Sequence, residues 1–194
     1  MARFTAPDVA APVAARSRQE RPFSAALFLF PFLALLPVLA FLGSCAHLST
    51  PSAQGALASI DVMDESGATS SLGVHLGKRV VLDVCASWTD ACLLNARALD
   101  EVCRTACGEG VEVITLLLDD QGATALQSYR KVLGVTHRVA LPGARTRAGQ
   151  SALGDVSGIP RLVLFDREGR IVEDITGGIV STAGILRRLH ELGR

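Results

Sequence analysis

Two kinds of hydrophobic pattern run along this chain. The first is an unbroken apolar run from Phe23 to Leu42, FSAALFLFPFLALLPVLAFL, without a single charge. At about 1.5 Å per helical residue it is long enough to span the roughly 30 Å core of a bilayer. The second kind is shorter and broken by turn residues. Ile60 to Met63 reads as a strand entering the turn Asp64-Glu65-Ser66-Gly67, with a second short strand to about Leu72. Arg79 to Cys85 (RVVLDVC) is mostly apolar, as expected of a buried central strand. The pattern then predicts a helix from Asp90 to Ala106, ended by the cap residue Gly108. Val111 to Leu118 is a second buried strand, closed by Asp119-Asp120, and residues 123–133 fit a helix with Ala125, Leu126, Tyr129 and Leu133 on one face. A short strand at Val139 to Leu141 and a short helix over 147–154 follow. Arg161 to Asp166 and Arg170 to Glu173 flank the turn Arg167-Glu168-Gly169 as a hairpin, and an amphipathic helix covers Ser181 to Leu192. This order predicts an α/β fold: an entry hairpin, then a central mixed sheet covered on both faces.

The apolar run at the start changes where this domain resides. Arg16, Arg18 and Arg21 precede it, a charge bias that holds the N-terminus inside and sends the rest outward. Its end, Leu42-Gly43-Ser44-Cys45, resembles a bacterial lipobox, in which the cysteine receives lipid after cleavage. Residues 1–44 are therefore an export segment, 45–57 the lipidated Cys45 with a flexible tether, and 58–194 the domain. The alternative is an uncleaved transmembrane anchor, against which Pro31 and Pro37 argue. Both readings put the domain outside the cytoplasm and on the membrane, facing the periplasm in a Gram-negative cell. By resemblance to lipoprotein sorting rules, Ala46, not being Asp, permits outer-membrane delivery.

Charge and composition exclude more than they assign. The 194 residues carry 19 Lys and Arg against 19 Asp and Glu. No clustered basic face marks a nucleic-acid footprint. His47, His75, His137 and His190 have no zinc-ligand spacing, so neither a metal nor another cofactor is expected.

The candidate chemistry lies where the central strand meets the following helix. Val80-Val81-Leu82-Asp83-Val84-Cys85-Ala86-Ser87-Trp88-Thr89-Asp90-Ala91-Cys92 resembles the active-site segment of the thioredoxin-like family. It is most similar to the exported, tethered TlpA/ResA-type thiol reductases, which read F-W-A-[ST]-W-C-x-x-C. Ala86-Ser87-Trp88 matches and Cys92 falls on the second cysteine. Thr89 replaces the first cysteine and Cys85 the first tryptophan. Gly158-Ile159-Pro160, followed by the hairpin from Leu162 to Val172, resembles the family's cis-proline loop and last two strands. Asp64 to Leu72 and Gly77-Lys78 match its entry hairpin. The resemblance covers residues 58–194 and implies a thioredoxin-like fold, protein thiols and disulfides or extended peptides as partners, and a site built from Cys92, Thr89, Trp88, Ile159, Pro160 and Arg161.

Each of these residues has two readings. In the family the first cysteine is held as a thiolate by the helix N-terminus and attacks a partner disulfide, which the second cysteine resolves. A threonine hydroxyl without a base is too weak a nucleophile for that step. Thr89 either caps the helix, with Asp90 as a favourable first-turn charge, or hydrogen-bonds the Cys92 sulfur. Cys92 is either a reactive monothiol, with Arg161 adding positive charge, or an inert buried thiol. Asp83 matches the buried acid of some thioredoxins; it either exchanges a proton with Cys92 or makes a structural hydrogen bond. Cys103 is about 16 Å of helix rise from Cys92, which excludes that pair. Cys103 and Cys107 are expected to pack on the helix face rather than bridge. Alternation puts Cys85 on the strand face of Asp83, so a Cys85–Cys92 couple is open.

Three functions follow as expectations. One is a thiol–disulfide redox protein with an altered centre. The second is a thiol peroxidase, because Thr-x-x-Cys also resembles the peroxiredoxin site, although Cys85 stands where that family has proline and Pro160 where it favours arginine. The third is a non-catalytic module that binds extended peptides at the cis-proline loop.

Overall fold

The computed structural model describes residues 55–193. The export segment, Cys45 and most of the expected tether lie outside the described residues. The elements are α1 (Gly55–Ala58), β1 (Asp61–Met63), β2 (Thr69–Ser71), a 3-10 turn (Leu72–His75), β3 (Arg79–Cys85), α2 (Asp90–Ala106), β4 (Val111–Leu117), α3 (Ala123–Leu133), β5 (Arg138–Pro142), α4 (Ala144–Arg147), β6 (Arg161–Phe165), β7 (Ile171–Thr176) and α5 (Thr182–Glu191). They build one seven-stranded mixed sheet in the order β2-β1-β5-β4-β3-β6-β7.

The centre of this sheet follows from sequence. β3 is apolar enough to be buried on both faces and pairs parallel to β4 and antiparallel to β6. The parallel neighbours β3, β4 and β5 are joined through α2 and α3, as parallel pairing demands. Side chains alternate along β3. Val80, Leu82 and Val84 join Leu57, Ile60, Leu72, Leu153 and Phe165 in one core. Val81 points the other way, into a core with Leu99 and Val102 of α2 and Ile185 and Leu189 of α5. Asp83 and Cys85 share the face of Val81 and so meet α2. The helix ends are placed by local chemistry. Ser181 caps α5 by accepting from the Gly184 N–H at 3.2 Å, and Gly134, at φ 66°, ends α3.

Three expectations need correction. The tether stops short of residue 57: Leu57 is fully buried and its N–H donates to the Gly169 carbonyl at 3.0 Å. The short helix is α4, at Ala144–Arg147, not at 147–154. Asp61 of β1 places it by accepting from the N–H of Thr146 at 2.7 Å and its hydroxyl at 2.6 Å. Gly149 and Gly154, at φ 71° and 58°, break the region where the helix was expected. Finally, Cys103 and Cys107 do bridge. Cys107, the C-cap of α2, leaves helical geometry (φ −64°, ψ 134°), which brings the two Cα atoms to 4.6 Å. Both cysteines also pack against the α2–α5 core, as expected of them.

Candidate functional site

The site forms where β3 ends and α2 begins. Ala86 to Trp88 make the turn between them, pinned from the side by Asp119, just past β4. The Asp119 carboxylate accepts from the Ser87 N–H at 3.0 Å and from the Ser87 hydroxyl. Beside this turn lies a cleft of about 240 Å³, lined by Ser87, Leu93, Asp119 and Tyr129 among others. Trp88 is 66% exposed at the tip.

Cys85 and Cys92 are joined as a disulfide, with Cα atoms 5.5 Å apart. Both residues are fully buried. The Cys92 sulfur also accepts from the Ala86 N–H at 3.3 Å. It sits in the first turn of α2, where unpaired N–H groups and the helix dipole favour negative charge. Thr89 is the N-cap residue by position, but its hydroxyl bonds neither the backbone nor the Cys92 sulfur. Its carbonyl accepts from the N–H groups of Cys92 and Leu93 at 3.0 and 3.2 Å. Neither side-chain role open to Thr89, the cap hydrogen bond or the hydroxyl–sulfur contact, is made. The Cys92 sulfur is taken up by Cys85 and by the backbone.

Asp83 lies on the same strand face, two residues before Cys85. It is fully buried, and neither carboxylate oxygen has a hydrogen-bond partner in the protein. The structural hydrogen bond offered as one reading is not made. Burial alone pushes its carboxyl from 3.8 up to about 7. Its register partner on β4 is Thr115, whose hydroxyl meets His137 Nε2 at 2.9 Å. Tyr129 of α3 faces the same region; burial first, and then the neighbouring Asp83, raises its phenol pKa.

Pro160, the residue before β6, closes the site from the other side. The Ile159–Pro160 peptide is cis, Pro160 is buried, and Ile159 packs against the core. Val84 pairs with Arg161 across the sheet, so the next register step sets Pro160 opposite Cys85. Arg161 shares the face of Val84, away from the disulfide. Its guanidinium holds Asp174 at 2.8 and 2.6 Å and the Leu153 and Asp155 carbonyls at 2.8 and 2.9 Å. The expectation that it adds charge at Cys92 is corrected: that charge is spent on Asp174.

Two positions escaped the sequence reading. In the sequence Asp119 reads as a strand terminator; its place just beyond a buried strand, level with the end of β3, is the signal for its second role. Asn95 is buried on α2, where its Oδ1 accepts from the Val180 N–H at 2.9 Å and its Nδ2 donates to the Gly178 carbonyl at 3.4 Å. It ties the segment after β7 to the site helix. Asn95→Ala strands the Val180 N–H, and denaturant unfolding should show a loss of about 1–3 kcal/mol.

The sheet order, the helix rising from the end of β3 and the cis-proline opposite define a thioredoxin-like α/β protein. The chain belongs to the Redoxin family, which it matches over residues 51–185. Solved structures agree on the fold. The dsbF protein of Mycobacterium tuberculosis, seen in mixed oxidized and reduced forms, is 22% identical; the match has a TM-score of 0.58 and covers 72% of this chain and 97% of that one. A thioredoxin-family thiol:disulfide interchange protein of Chlorobium tepidum is 21% identical, with TM-score 0.57 and coverages of 68% and 91%. The exposed lipoprotein thioredoxin Etrx1 of Streptococcus pneumoniae is 24% identical, with TM-score 0.55 and coverages of 68% and 97%.

Proposed function

We propose that this chain is an extracytoplasmic, membrane-tethered thiol–disulfide redox protein of the TlpA/ResA type, in which Cys85 and Cys92 act as the redox pair in place of Cys-x-x-Cys. The observation that carries the reading is the bonded Cys85–Cys92 pair at the β3–α2 corner. Neighbours on the fold are thiol:disulfide interchange proteins, and one of them, Etrx1, is an exposed lipoprotein. The lipobox at Cys45 supports the same kind of tether.

The pair accepts two electrons from a dithiol substrate. A substrate thiolate attacks the Cys85 sulfur and the Cys85–Cys92 bond breaks. Cys92 leaves as a thiolate, the better leaving group because the Ala86 N–H and the α2 N-terminus stabilise it. Asp83, with a carboxyl that titrates near neutrality, hands Cys92 its proton. The second substrate thiolate then attacks the substrate sulfur of the mixed disulfide and releases Cys85 as a thiolate, which water protonates. The substrate leaves as a disulfide, and Cys85 and Cys92 are left as thiols. Both sulfurs are buried, so the 86–89 turn must lift for each exchange, and bulky thiols react slowly. The peroxidase reading is not favoured, because it needs a free Cys92 thiolate touched by Thr89.

The full chain in detergent, incubated with a reduced dithiol peptide, should yield one oxidised peptide per chain, and Cys92→Ser should yield none. If Cys85 and Cys92 both alkylate freely in the air-oxidised protein, the reading is wrong. In cells, Cys45→Ala should abolish incorporation of labelled fatty acid. Thr89→Cys restores Cys-x-x-Cys at the partly exposed N-cap position of α2. Its exchange with the same peptide should be faster by on the order of tenfold or more at neutral pH, in stopped-flow traces.

A further inference from the structure

The second disulfide stands at the other end of the same helix. α2 runs 17 residues from Asp90 to Ala106, with Cys92 in its first turn and Cys107 as its C-cap. Cys103 and Cys107 are bonded and each is partly exposed, whereas Cys85 and Cys92 are fully buried. Arg104 and Thr105, which lie between them in sequence, are exposed. About 16 Å of helix rise separates Cys103 from Cys92, so the two disulfides do not exchange within one molecule.

We propose that Cys103–Cys107 is a second thiol–disulfide exchange site that takes a soluble dithiol, of a small molecule or a protein, directly from solvent. The attacking thiolate bonds to the Cys107 sulfur, and Cys103 leaves as a thiolate that water protonates. The second thiol of the reductant, as thiolate, attacks the reductant's first sulfur in the mixed disulfide, and Cys107 leaves as a thiolate that water protonates. The reductant departs as a disulfide, and Cys103 and Cys107 remain as thiols. Access decides the rate of such a step, and here both residues already reach the surface, unlike Cys85 and Cys92.

The local structure gives the step a consequence. Cys107 holds its non-helical position through the bond to Cys103, the N–H donated to the Cys103 carbonyl at 2.8 Å, and an isolated bridge to Val111. The bond and the bridge together tie the last turn of α2 to the start of β4. Reduction removes the covalent part of that tie and leaves the backbone contacts, so the rest of the fold stays in place while the C-cap is loosened.

The test uses the oxidised full chain in detergent, with limiting dithiothreitol, timed quenching by N-ethylmaleimide and mass mapping of each cysteine. Cys103 and Cys107 should label faster than Cys85 and Cys92 by on the order of tenfold or more. The fast phase should vanish in Cys103→Ala/Cys107→Ala and persist in Cys85→Ser/Cys92→Ser. Free thiols at Cys103 and Cys107 in the untreated protein, or labelling there no faster than at the buried pair, would overturn the proposal. Neither result bears on whether Cys85 and Cys92 exchange with substrate, so this proposal and the proposed function fail separately.

Discussion

Asp83→Asn should make the folded chain more stable at pH 8 by about 4 kcal/mol and leave it nearly unchanged at pH 4. The sign follows from where the proton sits. Burial without a partner raises the folded carboxyl from 3.8 to about 7. Between those two values the folded chain holds a proton that the unfolded chain has released, so stability falls as pH rises through that window. Below it both states are protonated, and above it both are ionised with the full penalty in place. Asparagine has nearly the shape of the protonated acid and never ionises, so it removes the penalty. Urea unfolding of both proteins at several pH values checks this. His137 is also buried, and burial holds its imidazole below 6.5, which weakens the fold as pH falls. That contribution is common to both proteins and cancels in the comparison. Equal stabilities at pH 8 would show that Asp83 is not held as an unpaired buried acid. On the proposed chemistry, the same substitution slows exchange by withdrawing the proton from Cys92.

Cys85→Ser should have two effects that separate cleanly. Exchange at the β3–α2 corner falls to background, because a hydroxyl neither forms nor breaks the disulfide and Cys92 is left alone. Stability falls by about 2–3 kcal/mol, the loop-closure value for so short a ring. The bond spans seven positions in sequence and crosses from strand to helix inside the core. In a Cys103→Ala/Cys107→Ala background, where Cys85–Cys92 is the remaining disulfide among the described residues, reduction should reproduce the stability loss, and adding Cys85→Ser should then leave little more to lose under the same reductant. Guanidinium unfolding with and without reductant checks both. If the midpoint in that background does not move on reduction, the Cys85–Cys92 bond contributes nothing to the fold.

Much of this fold was legible because β3 and α2 carry strong local signals. The run VVL before Asp83 reads as a two-sided strand, and the apolar positions of 90–106 repeat with a helical period. Both elements begin and end where expected. The cysteine pair was legible in part: strand alternation put Cys85 on the face of Asp83, and the helix start put Cys92 nearby. What stayed hidden depends on contacts distant in sequence. α4 is positioned by Asp61, 85 positions earlier, which no local pattern encodes. Arg161 looked like charge for the site until Asp174, on the neighbouring strand, proved to hold it. The Cys103–Cys107 bond depends on one residue leaving helical dihedrals, a choice made where the chain turns into β4.

Trp88 is the chain's one tryptophan, and it stands exposed between the two bonded cysteines. On the proposed chemistry, exchange lifts the 86–89 turn that carries it, and the surroundings of the indole change with the state of the bond. The molecule therefore contains its own optical gauge of the β3–α2 corner, readable in a fluorimeter without any attached dye. The other bonded pair, at the far end of the helix, lies well away from that lamp.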